Sequence, residues 1–282
     1  MTKYSVLTYN FGNYDSQVLE IKEKSPNAEY VYVTDNPNVK SDTWDVKVVK
    51  NRWLNDIFRI CWEVRYNPFN YVTNDIVVRI DGSVEVLRSL DPLVGYFDTR
   101  GYDMAVMPHP QCNNVYEEYY RWVVSRGYPV EQANKALKYL ARVVGYDVVK
   151  SKGLAQYNIM IHRNDRLNNS INEGTMWLLK RLAMDGKEVD RLDQTIGSVF
   201  IQKFYPELNM MYLGGDVANG TWFNWRTHNT SRIIKAVDPP IEPYFYNRPV
   251  SFCPLTVSET FNKFSDSDFN DPKIIDSILA TY

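Results

Sequence analysis

Cysteine is scarce in this 282-residue chain: Cys61, Cys112 and Cys253 are far apart and odd in number. That spacing offers neither a disulfide framework nor a zinc knuckle, and it points to a reducing compartment. Histidine is equally sparse, with only His109, His162 and His228 to serve as imidazole bases. No stretch of roughly 18 consecutive apolar residues exists, so no membrane span is expected. The opening MTKYSVLTYNFG reads as a strand without the apolar core of a signal peptide, and the expected location is cytoplasmic. Neither sign of charge dominates, with 32 Lys and Arg against 34 Asp and Glu, so no global basic field draws in nucleic acid. The first strand is not followed by G-x-G-x-x-G, and neither a P-loop nor a G-x-S-x-G elbow occurs. Hydride transfer, P-loop chemistry and serine hydrolysis all lose ground.

The chain does hold 21 tyrosines and 7 tryptophans, whose amphipathic rings suit both cores and surfaces that meet sugars or bases. Its first third alternates strand and helix patterns. YSVLTY (4–9), EYVYVTD (29–35), WDVKVV (44–49), NDIVVRIDG and AVMPH (105–109) read as strands. A helical segment is expected around VLEIKEK, and another over NDIFRICWEVRYN. The middle is more helical, with helices expected over 115–125, from Pro129, over GTMWLLKRLAM, and around Leu192, Ile196, Val199 and Phe200 with Asp190 as cap. From Gly214 the chain turns rich in Gly, Asn, Pro and aromatics. The expected class is α/β, a mostly parallel sheet with flanking helices. Residues 1–213 form the main domain and 214–282 an extension of it.

In such sheets ligands bind beyond the carboxyl ends of the strands. The candidates are therefore Tyr9, Asn10 and Phe11 after the first strand, Asp35 after the second, and Asp81 after IVVRI. Asp81-Gly82 is a common turn dipeptide. Asp81 and the Ser83 hydroxyl also suit a hard divalent cation, Mn2+ or Mg2+, which takes oxygen ligands and keeps several waters. Both readings stay open. Arg79, a charge inside an apolar run, must lie at an edge or pair, with Asp103 or a glutamate of Tyr116-Glu117-Glu118 as candidates.

Several short motifs recur in one order: Phe11-Gly12-Asn13-Tyr14-Asp15, Thr34-Asp35, Trp44, Arg65 and Pro68, and Ile80-Asp81-Gly82. His109-Pro110, Cys112, Tyr116-Glu117-Glu118 and Asp193-Gln194 continue it. In this order the chain resembles the GT-A-fold nucleotide-sugar glycosyltransferases. It is most similar to the glycosyltransferase-like family that includes plant mucilage-related and ceramidase-associated proteins. The likeness spans roughly residues 4 to 205. It departs at Ser83, where the family has Asn, and at Gln111, where it has Arg.

The resemblance implies a GT-A-like, Rossmann-type fold. It implies a metal-dependent transferase that moves a sugar from a nucleotide sugar, a UDP-sugar, to a hydroxyl of a saccharide or other acceptor. The nucleotide would lie over the first two strands, with backbone near Tyr9, Asn10 and Phe11 at the base and Asp35 at base or ribose. Arg65, whose planar fork suits phosphate, would neutralise the diphosphate. His109 would orient an acceptor hydroxyl. Asp193, beside Gln194, would act as general base in an inverting reaction or stabilise an oxocarbenium-like state in a retaining one. His228 would complete the metal site with Asp81 and Ser83. A GT-A-like nucleotide-sugar-binding protein without turnover is one alternative. A transferase acting on a hydroxylated DNA base is another, with Lys and Arg of 121–152 as a local phosphate patch.

Overall fold

The computed structural model describes residues 2–50, 57–109, 112–120, 137, 140–141, 144–146, 153–184, 193–214 and 221–226. They belong to two compact units. The described residues of the first unit fall within Met1–Pro108, Gln156–Met176 and Glu207–Lys235, and those of the second within His109–Ala155 and Trp177–Pro206.

A seven-stranded sheet organises the first unit, in the order β3-β2-β1-β4-β7-β6-β8. Its strands are β1 (Tyr4–Asn10), β2 (Ala28–Thr34), β3 (Asp45–Val48), β4 (Ile76–Ile80), β6 (Met104–Pro108), β7 (Ala155–Arg163) and β8 (Met210–Tyr212). β1 pairs in parallel with both β2 and β4, β2 with β3, and β6 with β8, whereas β7 runs antiparallel to β4. The sheet is thus mixed and mostly parallel, with flanking helices, as an α/β class requires. β5 (Val84–Val86) and β9 (Phe223–Trp225) form a separate antiparallel pair.

Both β1 and β4 are buried along their whole length, because successive side chains feed two different cores. Tyr4 and Val6 of β1 join Ile76, Val78 and Ile80 of β4 in one cluster. Helix α2 (Asp91–Thr99) covers it with Leu93, Val94 and Phe97. Leu7, Tyr9 and Val77 join the opposite cluster, covered by Ile60 and Val64 of helix α1 (Ile57–Tyr66). Full burial of each such aliphatic side chain contributes about 1.5–3 kcal/mol. The edge strand β3 is instead half-exposed, and its Lys47 ammonium donates to the Tyr71 carbonyl at 2.9 Å.

Further helices among the described residues include α3 (Val115–Tyr120), α4 (Arg166–Met184) and α5 (Asp193–Phe204). The expected Asp190 cap, most of the helix from Pro129, and all of 227–282 lie outside the described residues. One reading of the sequence is corrected, and two unassigned segments gain a structure. The VLEIKEK segment is irregular rather than helical. Its donors are taken elsewhere: Ile21 N–H goes to Thr43 Oγ1 at 3.0 Å and Lys22 N–H to the Val86 carbonyl at 3.0 Å. AQYNIMIHR, unassigned from the sequence, is the antiparallel strand β7. The Asp91–Thr99 stretch, also unassigned, is a helix with Pro92 in its first turn, where the missing N–H costs nothing.

Candidate functional site

From β1 the sheet grows outward to β2 and β3, and the chain then returns to lay β4 on the other side of β1. The carboxyl ends of β1 and β4 therefore flank a topological switch point, where open α/β sheets place ligands. Tyr9 and Asn10 end one strand, and Asp81 follows the other.

Asp81 is fixed first by its backbone. Its N–H donates to the Asn158 carbonyl at 2.9 Å, and its own carbonyl accepts Val84 N–H at 2.9 Å. A Cβ at Gly82 would stand 3.1 Å from the Tyr9 carbonyl oxygen and 3.4 Å from Asp15 Oδ2. Glycine is used here for close approach, so the turn and the site are the same feature.

Two guanidinium groups then converge on one carboxylate oxygen. Arg65, in the last turn of α1, donates Nε to the Tyr9 hydroxyl at 2.9 Å and a terminal nitrogen to Asp81 Oδ1 at 3.0 Å. Arg79, fully buried, donates to the same oxygen at 3.2 Å and also to the Tyr157 carbonyl. This corrects the expected partners of Arg79, since neither Asp103 nor a glutamate of 117–118 holds it. Antiparallel β7 supplies a carbonyl and Asp81 the countercharge. Burial pushes the Tyr9 phenol well above its usual range, so it stays a neutral donor at physiological pH. Burial also raises Tyr66, to about 12, although Arg65 and Arg79 pull the other way.

The loop after β1 is pinned from both sides. Asn10 donates Nδ2 to the Asp15 carbonyl at 2.6 Å and accepts Asp15 N–H at 3.2 Å. Asp35 accepts Gly12 N–H at 3.0 Å, tying the ends of β1 and β2 together. Gly12 has φ +61°, and a Cβ there would meet Ile57 Cγ2 at 2.9 Å. Phe11 is core, 1 % exposed. Ser83 is buried, and its carbonyl accepts Arg226 N–H at 2.8 Å, extending the β5–β9 ladder. Alongside it, Glu85 binds Arg226 at 2.6 Å and Lys22 at 3.2 Å. Burial would raise the Glu85 carboxyl, yet hydrogen bonds from Arg226 and Lys22 hold it below the usual carboxylate range. Tyr9, Asn10, Phe11, Asp35, Arg65, Asp81 and Ser83 thus all belong to the first unit.

His109, Asp193 and Gln194 belong to the second unit. The buried His109 accepts Cys112 N–H on Nδ1 at 3.0 Å, and its own N–H donates to the Leu154 carbonyl at 2.7 Å. Asp193 is buried in the first turn of α5, where a carboxylate is favoured by the helix dipole. Two residues on, Thr195 donates its hydroxyl to the fully buried Glu118. His228 lies outside the described residues.

The donor set at Asp81 suits a hard cation in part through a division of labour. All of the carboxylate's hydrogen bonds from described residues fall on Oδ1, and Oδ2 accepts none. Oxygen of this kind, with one or two carboxylates and substrate phosphates, is what Mn2+ or Mg2+ takes. Among the described residues no three His, Cys, Asp or Glu side chains cluster as a self-sufficient metal cage. Asp81 offers an ion one free carboxylate oxygen, and phosphate and water would have to supply the other ligands.

Sequence reasoning did not give Arg79 or the Tyr9 hydroxyl a place in this cluster. The signal was present in the lone arginine of IVVRI, whose burial demands a partner close by. Among the described residues no helix is long and apolar enough to cross a membrane. No family model and no curated protein matches the chain.

Proposed function

We propose that this chain is a metal-dependent glycosyltransferase on a GT-A-like scaffold, moving a sugar from a UDP-sugar to a hydroxyl of a saccharide acceptor. The observation that carries the reading is Asp81. It stands at the switch point of an open α/β sheet, with one carboxylate oxygen locked by Arg65 and Arg79.

In this reading the nucleotide lies over the ends of β1 and β2, against the loop that Asn10 and Asp35 hold in place. Arg65 is partly exposed and lends positive charge to the diphosphate, while buried Arg79 keeps Asp81 oriented. Asp81 is a rigid ligand because it is anchored on three sides, which is the pre-organisation that electrostatic catalysis needs. When bound by Asp81 and Ser83, Mn2+ or Mg2+ supplies charge to offset that developing on the departing diphosphate. His109, Asp193 and Gln194 are the residues proposed for acceptor-side chemistry in the second unit.

The test is a panel of UDP-sugars with simple saccharide acceptors and Mn2+, followed by UDP release and by transfer of labelled sugar. Activity with at least one donor is expected, with a loss of about 100-fold or more in Asp81→Asn. Donors that bind equally well without metal and in Asp81→Asn, with no UDP released, would instead identify a binding protein without turnover.

A further inference from the structure

Near the start of β4 lies a second feature that the transferase reading does not use. Two asparagine-rich segments meet there. One is Asn67-Pro68-Phe69-Asn70, a short 3-10 turn between α1 and β4, and the other runs from Asn164 into the first turns of α4. Asn164 is tied to the residue before β4, its N–H donating to the Asp75 carbonyl at 2.7 Å. Its side-chain oxygen accepts Asn169 Nδ2 at 3.2 Å. Asn169 and Glu173 are four residues apart and so share one face of α4.

Together these residues line an open cleft of about 240 Å³ formed by Tyr66, Asn67, Phe69, Asn70, Asn164, Asn169 and Glu173. Its polar capacity is largely unspent. Among the described residues, the side-chain oxygens of Asn67 and Asn169, both polar atoms of the Asn70 amide and the Glu173 carboxylate make no hydrogen bond. Each amide presents a donor and an acceptor side by side, and the carboxylate adds a strong acceptor.

We infer that this cleft is a subsite for one neutral saccharide ring. Adjacent hydroxyls of a sugar donate and accept in pairs, as the amides do, and the apolar face of the ring can lie on Phe69. An anion is disfavoured, because Glu173 is the only charged residue in the lining and no Lys, Arg or His opposes it. A bare cation would find one carboxylate where calcium takes six to eight oxygens. The volume falls below that of sites for drug-sized ligands, which favours a small one. The inference holds whether or not the transferase reading does.

The test uses the full chain and ligand-observed saturation-transfer NMR with the methyl glycosides of glucose, galactose, mannose and N-acetylglucosamine. At least one is expected to receive saturation, strongest on the protons of one ring face. Glu173→Gln, an exposed change that leaves the fold intact, should weaken its binding about tenfold, as loss of a charged hydrogen bond does. Phe69→Ala should abolish the one-face pattern, and saturating UDP with Mn2+ should leave binding unchanged. The inference is overturned if no glycoside binds, if binding ignores both Glu173→Gln and Phe69→Ala, or if UDP with Mn2+ removes it.

Discussion

His162 gives the sharpest prediction. It lies on β7 opposite Val77, is fully buried, and neither ring nitrogen has a hydrogen-bond partner among the described residues. Burial, with Arg79 nearby, pushes its pKa down to about 3. The folded protein therefore holds it neutral, while the unfolded chain binds a proton near the ordinary value of about 6.5. With the folded pKa the lower one, stability is complete above about pH 6.5 and falls as the pH drops toward 3. At about pH 5 the gap from the unfolded value is about 1.5 units, a loss of about 2 kcal/mol at 1.36 kcal/mol per unit. Most paired carboxylates are still ionised there. His162→Leu removes the titration and an unsatisfied buried polar group together, so it should be as stable as the parent or more so at pH 7. Urea unfolding at about pH 7 and pH 5 measures both, and the parent alone should lose the 2 kcal/mol. Parallel losses in parent and variant, or an imidazole titrating near 6.5 by NMR in the folded protein, would refute the reasoning.

Asp81→Asn should cost stability as well as activity, about 3 kcal/mol in chemical unfolding, because two guanidinium groups lose their shared countercharge. Gly12→Ala forces a side chain to φ +61° and against Ile57, and should lower the unfolding free energy by about 1–3 kcal/mol. Glu85, held below the usual carboxylate range, contributes stability that is present above about pH 4.5 and lost as the pH falls through its lower folded value. Glu85→Gln should therefore flatten the acid limb of the stability curve below about pH 4.5. In the second unit Thr195→Val removes the hydroxyl bonded to buried Glu118 and should cost about 1–3 kcal/mol by thermal or urea unfolding.

Much of the sheet was legible in the chain because it obeys local rules. Runs such as IVVRI and EYVYVT are β-branched and aromatic, and their spacing alone says strand. The helix over Asp193–Phe204 followed from apolar residues recurring at helical spacing. Asp81, placed after the β-branched run IVVRI and before glycine, could be picked out without coordinates. Segment 18–24 reads as helix by its apolar spacing, yet the neighbouring Val86 carbonyl and Thr43 hydroxyl outbid the helical partners for its backbone.

Periodicity, turn chemistry and composition act over a few residues, and they determined the class of the fold and the position of its central aspartate. Tertiary structure decided the rest: the antiparallel β7, the two-core sheet, and the meeting of Tyr9, Arg65, Arg79 and Asp81 from β1, α1 and β4. It also brought the asparagines of 67–70 and 164–169 to one cleft. Such encounters depend on which strands become neighbours, and that is set by the burial of whole faces rather than by any short stretch of sequence.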